Sequence, residues 1–152
     1  MDRPCYLTVE ETPDKPGWFN NLFFCSYAMR ENYLSYRDII FVNKRFEKTR
    51  FARSLVLICG VSSTGRCILL AFGFVTKEDE ENFDFVATHF VKALAGSNPP
   101  KVIVIERNSM MRASFKKAFA ATDHQTSIPI MYCFSHYQRC IRMFFDSAKG
   151  SQ

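Results

Sequence analysis

Two apolar runs, Ile39-Ile40-Phe41-Val42 and Val102-Ile103-Val104-Ile105, each stop at a polar side chain, Asn43 and Glu106. Unbroken runs of this kind read as strands buried on both faces. Residues just past such strand ends are held at a sheet edge, where a cation or ligand can reach them. Asn43 and Glu106 are therefore the first candidate site residues.

The rest of the chain supplies elements for those strands to join. Arg53 to Ser62 and Cys67 to Thr76 read as two more strands, joined by Ser62-Ser63-Thr64-Gly65-Arg66, and are expected to pair antiparallel. Lys77-Glu78-Asp79-Glu80-Glu81 puts carboxylates in the first turn of a helix, where they oppose the positive end of its dipole. Phe83, Val86, Ala87, Phe90, Val91 and Leu94 follow at helical spacing, and Gly96 to Pro100 ends the run. Met110 to Ala120 reads as a second amphipathic helix, Ile128 to Phe134 as a strand, and Tyr137 to Ala148 as a terminal helix with Ile141, Phe144 and Phe145 toward the core. Upstream, Met1 to Asn21 carries Pro4, Pro13, Pro16 and Gly17 and reads as an irregular lead-in with one short strand at Tyr6 to Val9. Leu22 to Tyr27 is apolar and aromatic, Ala28 to Ser35 suits one or two helical turns, and Asp38 to Asn43 is the first clear strand.

The expected order is strand, strand, strand, helix, strand, helix, strand, helix: an α/β mixed sheet with a three-strand antiparallel start. A chain of 152 residues, 47% hydrophobic and with 16 phenylalanines, can bury one substantial core, which excludes general disorder and a small disulfide scaffold. The formal charge of +5 favours an anionic partner only weakly. Cys5, Cys25, Cys59, Cys67, Cys133 and Cys140 follow no regular framework, and Cys59 and Cys67 fall in runs expected to be buried strands, so reduced thiols in an intracellular setting are expected. No apolar run has the length of a signal peptide core or a membrane span, since Arg53, Arg66 and Lys77 interrupt the longest ones.

Four stretches narrow the choice of fold: NLFFCSYAMRENYLSYRDIIFVNKRFEKTRF at 21–51, GVSSTGRCILLAFGFVTKEDEENFDF at 60–85, PPKVIVIERNSMMRASFKKAF at 99–119 and CFSH at 133–136. In that order and spacing, Leu22 to Arg142 resembles the catalytic core of Mutator-like element (MULE) transposases. The resemblance implies a ribonuclease-H-like domain over residues 22–148, with 1–21 as lead-in. It implies DNA as partner, a nuclear location, and divalent magnesium or manganese as the family's cofactor. The family's first catalytic aspartate falls on Asn43 and its second acid on Glu106. The glutamate after the third strand falls on Glu78, and the Cys-x-x-His step on Cys133 and His136. The family's last acid lies beyond a helical insertion, which this sequence, ending at Gln152, does not reach.

Transposases of this kind cut DNA by in-line attack on phosphorus, with two metal ions roughly 4 Å apart held by carboxylates. Neutral Asn43 offers a carbonyl oxygen without the charge that offsets magnesium dehydration. Glu106 carries one methylene more than aspartate, a displacement of ~1.5 Å. The expectation is a domain that keeps the fold, binds no metal and cleaves no DNA.

Plainer readings stand beside each of these. Asn43 suits a strand-ending amide, Glu106 a dipole-compensating carboxylate, and Glu78 to Glu81 a solvated helix start. Cys133 and His136 have the spacing of half a zinc site, but His124 and Cys140 do not complete a known pattern, so a packed Cys133 and a helix-starting His136 are expected. Lys44, Arg45, Lys48, Arg50 and Arg53, interleaved with Phe46 and Phe51, form a basic run suited to phosphates or simply to solvent. Two further alternatives stay open. One is a domesticated module resembling the far-red-impaired-type transcription regulators, acting through DNA targeting, a protein partner or a second copy; the other is a decayed fragment.

Overall fold

A computed structural model describes residues 5–46, 53–96, 98–122 and 128–135. Along them run β1 (Tyr6–Glu11), β2 (Phe19–Cys25), α1 (Tyr27–Tyr36), β3 (Ile39–Phe46), β4 (Ser54–Val61), β5 (Cys67–Val75), α2 (Glu80–Phe90), β6 (Val102–Ile105), α3 (Ser109–Ala120) and β7 (Ile130–Tyr132). The strands form one sheet in the order β1-β2-β5-β4-β3-β6-β7. Neighbours from β1 across to β3 are antiparallel, and β3–β6 and β6–β7 are parallel, which is the expected α/β mixed sheet.

Alternation along the strands sorts the two faces. Phe23 and Cys25, Ile40 and Val42, Val56 and Ile58, and Ile103 and Ile105 are buried on one side. Leu22, Phe24, Phe41, Leu57, Phe72 and Phe74 are half-buried on the other. The buried side receives the helices, whose starts are fixed by side-chain caps. Ser26 Oγ accepts from the Met29 N–H at 3.2 Å, Asp79 Oδ1 from Asn82 at 3.0 Å, and Asn108 Oδ1 from Met111 at 2.9 Å. Phe83, Val86, Ala87, Phe90, Val91 and Leu94 are all buried, as their spacing predicts, although the last turn of the run, Val91–Ala95, is π-helical. Phe90 makes ring contacts with Tyr33 of α1 and with Phe115 and Phe119 of α3, at 5.8, 5.9 and 6.3 Å between centroids.

The β4–β5 hairpin turns at the expected loop. Gly65 takes φ +76°, a conformation that costs glycine nothing, while its N–H bonds to the Ser62 carbonyl at 2.9 Å.

Four features differ from the sequence expectation. The lead-in is a hairpin: β1 pairs with β2 from Tyr6↔Cys25 to Glu10↔Asn21 and extends the sheet by two strands. Its Pro13, Pro16 and Gly17 all fall in one connection, closed by Thr12 N–H to the Trp18 carbonyl at 2.8 Å, so the breakers mark a turn and not an irregular segment. Strand β3 does not stop at Asn43. Its parallel partner β6 ends at Ile105, but its antiparallel partner β4 continues, pairing Lys44, Arg45 and Phe46 with Val56, Leu55 and Ser54. Cys67 is exposed, because it opens β5 next to the hairpin turn, whereas Cys59 is buried as expected. Strand β7 is confined to three residues of the 128–134 stretch. The terminal helix expected over 137–148 lies outside the described residues.

Candidate functional site at the paired strand ends

The pairing Val42↔Ile105 puts the next residues of β3 and β6, Asn43 and Glu106, side by side, and the Glu106 N–H bonds to the Val42 carbonyl at 3.2 Å. Adjacent strands thus bring the two sequence candidates together at backbone level. Their surroundings differ. Asn43 pairs with Leu57 and lies on the half-buried face with Phe41, while Lys44 turns to the face that receives the helices.

Lys44 links the acidic groups there. Its backbone N–H donates to Glu106 Oε2 at 3.3 Å, and its ammonium is ion-paired with Glu78 Oε2. The other Glu78 oxygen accepts from the Ser54 hydroxyl at 2.6 Å. Glu106 is 6% exposed. The cluster forms because the ends of β3 and β4 and the segment after β5 meet at one end of the sheet. Ser54, paired with both Phe46 and Val75, opens β4 at the point where β5 runs out toward Glu78.

Burial alone raises the Glu78 pKa, but the hydrogen bonds from Lys44 and Ser54 and the charge of Lys44 overcome it and hold the group below its ordinary 4.5. A carboxylate with a depressed folded pKa stabilises the fold above the ordinary carboxylate range, and that contribution disappears as pH falls through the lower folded value. Both partners are partly solvated, so screening limits the pair to about 1 kcal/mol or less. Lys44→Met is expected to be less stable than the parent at pH 7 by that amount, with the gap closing below about pH 4. Urea titrations at several pH values check this, and a gap that persists unchanged at low pH refutes it.

The divalent ions implied by the family resemblance do not fit this donor set. Asn43 is a neutral amide, Glu78 is engaged by an ammonium and a hydroxyl, and Glu106 accepts from the Lys44 amide. Among the described residues, no three His, Cys, Asp or Glu side chains converge. Asp38 directly precedes β3, at the opposite end of that strand, with Lys101 2.8 Å away.

The remaining candidates are dispersed. In the basic run, Lys44 is spent on Glu78, and Arg53 donates to the carbonyls of Phe19 at 2.6 Å and Asn20 at 3.2 Å while lying 3.9 Å over the Phe19 ring. Arg45 is exposed, and Lys48 and Arg50 lie outside the described residues. Cys133 is half-buried, with its thiol 3.0 Å from the Ser135 hydroxyl and its N–H bonded to the Ile105 carbonyl at 2.7 Å. His124, His136 and Cys140 are also outside the described residues. Sequence reasoning missed Ser54, and it missed Lys44 as the partner of Glu78. Only the hairpin register brings either to the acids, although the place of Lys44 directly after Asn43 was a local signal.

A family model described as the MULE transposase domain matches residues 39–139, from the first residue of β3 past the end of β7. The chain is 26% identical over 104 residues to Protein FAR-RED IMPAIRED RESPONSE 1 of Arabidopsis thaliana, an alignment covering 68% of this chain and 12% of that protein. It is 23% identical over 128 residues to Protein FAR1-RELATED SEQUENCE 6 of the same plant, covering 84% of this chain and 18% of the relative. The chain therefore spans less than a fifth of either relative. No helix among the described residues is long and apolar enough to cross a membrane.

Proposed function

Because the chain belongs to the MULE transposase domain family, we propose that it is a domesticated transposase core, of ribonuclease-H-like fold, that acts by binding in the nucleus and does not cleave DNA. Its order β5-β4-β3-β6-β7, with the first strand of the core parallel to the fourth, supports the fold reading. The similarity to two plant proteins, one of them named for an impaired far-red response, supports a regulatory role over transposition.

The observation that carries the non-cleaving reading is Lys44. Its ammonium is ion-paired with Glu78, so a fixed cation of the chain neutralises that carboxylate, and its backbone N–H occupies one oxygen of Glu106, the acid that a metal ion would need. The net charge of +5 and the exposed Arg45 of β3 support DNA as the partner. With two or three phosphate contacts, affinity for duplex DNA falls roughly 10- to 40-fold between 50 and 200 mM salt. Gel shifts over that range, together with nicking assays in magnesium and in manganese, test both parts. Metal-dependent cleavage that Glu106→Ala abolishes overturns the non-cleaving reading.

A protein-binding role is the second reading. Lys44 and Arg53 spend their donors inside the fold, while Leu7, Val9 and Trp18 stay exposed on and beside the β1–β2 hairpin. Absence of any DNA shift at 50 mM salt, with a salt-insensitive protein complex, favours it over DNA.

A further inference from the structure

We propose that Cys59 and Cys67 form a reversible dithiol–disulfide couple that locks the β4–β5 hairpin, with a low-molecular-weight disulfide such as oxidised glutathione as its oxidant. Cys59 pairs with Leu69, and Val61 with Cys67, so the two cysteines are diagonal neighbours on one face of the hairpin. The register shifts between Ile58 and Cys59, leaving Leu70 as the extra residue of a bulge, and bulges bend and tighten a strand pair. At this bend Cys67 is close enough to act on the Cys59 thiol.

The members of the pair differ in access. Cys59 is 7% exposed, and Cys67 is open to solvent beside the turn. Burial, followed by the influence of the neighbouring Cys67, pushes the Cys59 thiol up to about 12, which keeps it inert toward reagents in solution. The first attack therefore belongs to Cys67. Its thiolate attacks one sulfur of oxidised glutathione, forming a mixed disulfide and releasing one glutathione thiolate. Cys59 then gives its proton to a base in solution and attacks the Cys67 sulfur, expelling the second glutathione. Two protein thiols become one disulfide, and one glutathione disulfide becomes two reduced molecules. Cys25 is buried, and its thiol is directed to the backbone carbonyls of Ser26 and Leu70.

The folded full chain, equilibrated in glutathione buffers of graded oxidation, alkylated and then digested with trypsin, tests the couple. Cleavage after Arg53, Arg66 and Lys77 separates Cys59 and Cys67 into peptides 54–66 and 67–77. The expected result is a covalently joined pair of these peptides, two hydrogens lighter than their sum, which disappears on reduction and is absent in Cys67→Ser. In that variant, Cys59 is expected to resist glutathione while the protein is folded. Slower amide exchange in β4 and β5 of the oxidised protein is the readout of locking. A stable glutathione adduct on Cys67 with Cys59 still a free thiol overturns the proposal, as does a link from Cys67 to any other peptide or no oxidation of either residue.

Discussion

Phe90→Ala is expected to lower the folding free energy by about 3–5 kcal/mol, which for a chain of this size is a drop in melting temperature of roughly 6–20 °C. Phe90 is fully buried and touches the rings of Tyr33, Phe115 and Phe119, so it joins α1 and α3 through α2. Truncation removes transfer free energy and leaves a cavity whose walls belong to three different helices. Helices α1 and α2 both pack on the sheet and α3 packs on α2, so they cannot all move in to fill it. The Tyr33 hydroxyl is also anchored, donating to the Asn98 carbonyl at 2.6 Å, so the ring facing Phe90 is held in place. Phe134, 72% exposed, serves as the control, and its alanine variant should stay within about 0.5 kcal/mol of the parent. Thermal and urea unfolding of the two variants decide the matter, and comparable losses would refute the assignment of the core.

The next largest effect is expected at a residue with no side chain. A Cβ on Gly60 would lie 2.8 Å from the backbone carbonyl oxygen of Tyr36 and 3.1 Å from Leu70 Cδ1. Leu70 can adjust, but the carbonyl belongs to the last residue of α1 and moves only if the helix end moves with it. Gly60→Ala is therefore expected to cost about 1–3 kcal/mol by overpacking. The damage should be local to α1, where native-state hydrogen exchange would report lost protection at the C-terminal turn. Full stability together with unchanged exchange in α1 would show that the helix does not press on β4 as described.

The elements that were legible in the sequence are those whose pattern is complete within one segment. Phe83 to Leu94 carries its own helical spacing, and Ser62 to Arg66 its own turn chemistry, and both are found as expected. The neighbouring positions of Asn43 and Glu106 were legible through the family resemblance, because it supplied the strand order that local pattern lacks. What was not legible depends on partners distant in sequence. Strand β3 runs to Phe46 only because β4 pairs with it there, and no residue between 43 and 46 announces that. The β1–β2 hairpin was hidden by its prolines. It is held in part by Asn21, whose amide donates to Glu10 Oε2 at 2.5 Å and to Asn82 Oδ1 at 2.6 Å, the second bond reaching across to α2. The Lys44–Glu78 pair was obscured for the same reason. A lysine among arginines reads as solvent-facing until the hairpin register turns it toward the acids.

The β1–β2 hairpin also bears on which part of the chain folds as a unit. Strand β5, Cys-Ile-Leu-Leu-Ala-Phe-Gly-Phe-Val, has no charged residue, and its outer backbone groups are taken by β2 from Asn21↔Val75 to Phe24↔Phe72. A chain cut back to the family-matched 39–139 loses that partner and presents β5 as a free edge, a template on which other molecules can stack strand by strand into aggregates. The family-matched range 39–139 and the sheet therefore have different borders, and what reads as a preface to the matched segment is the strip that covers the edge of β5.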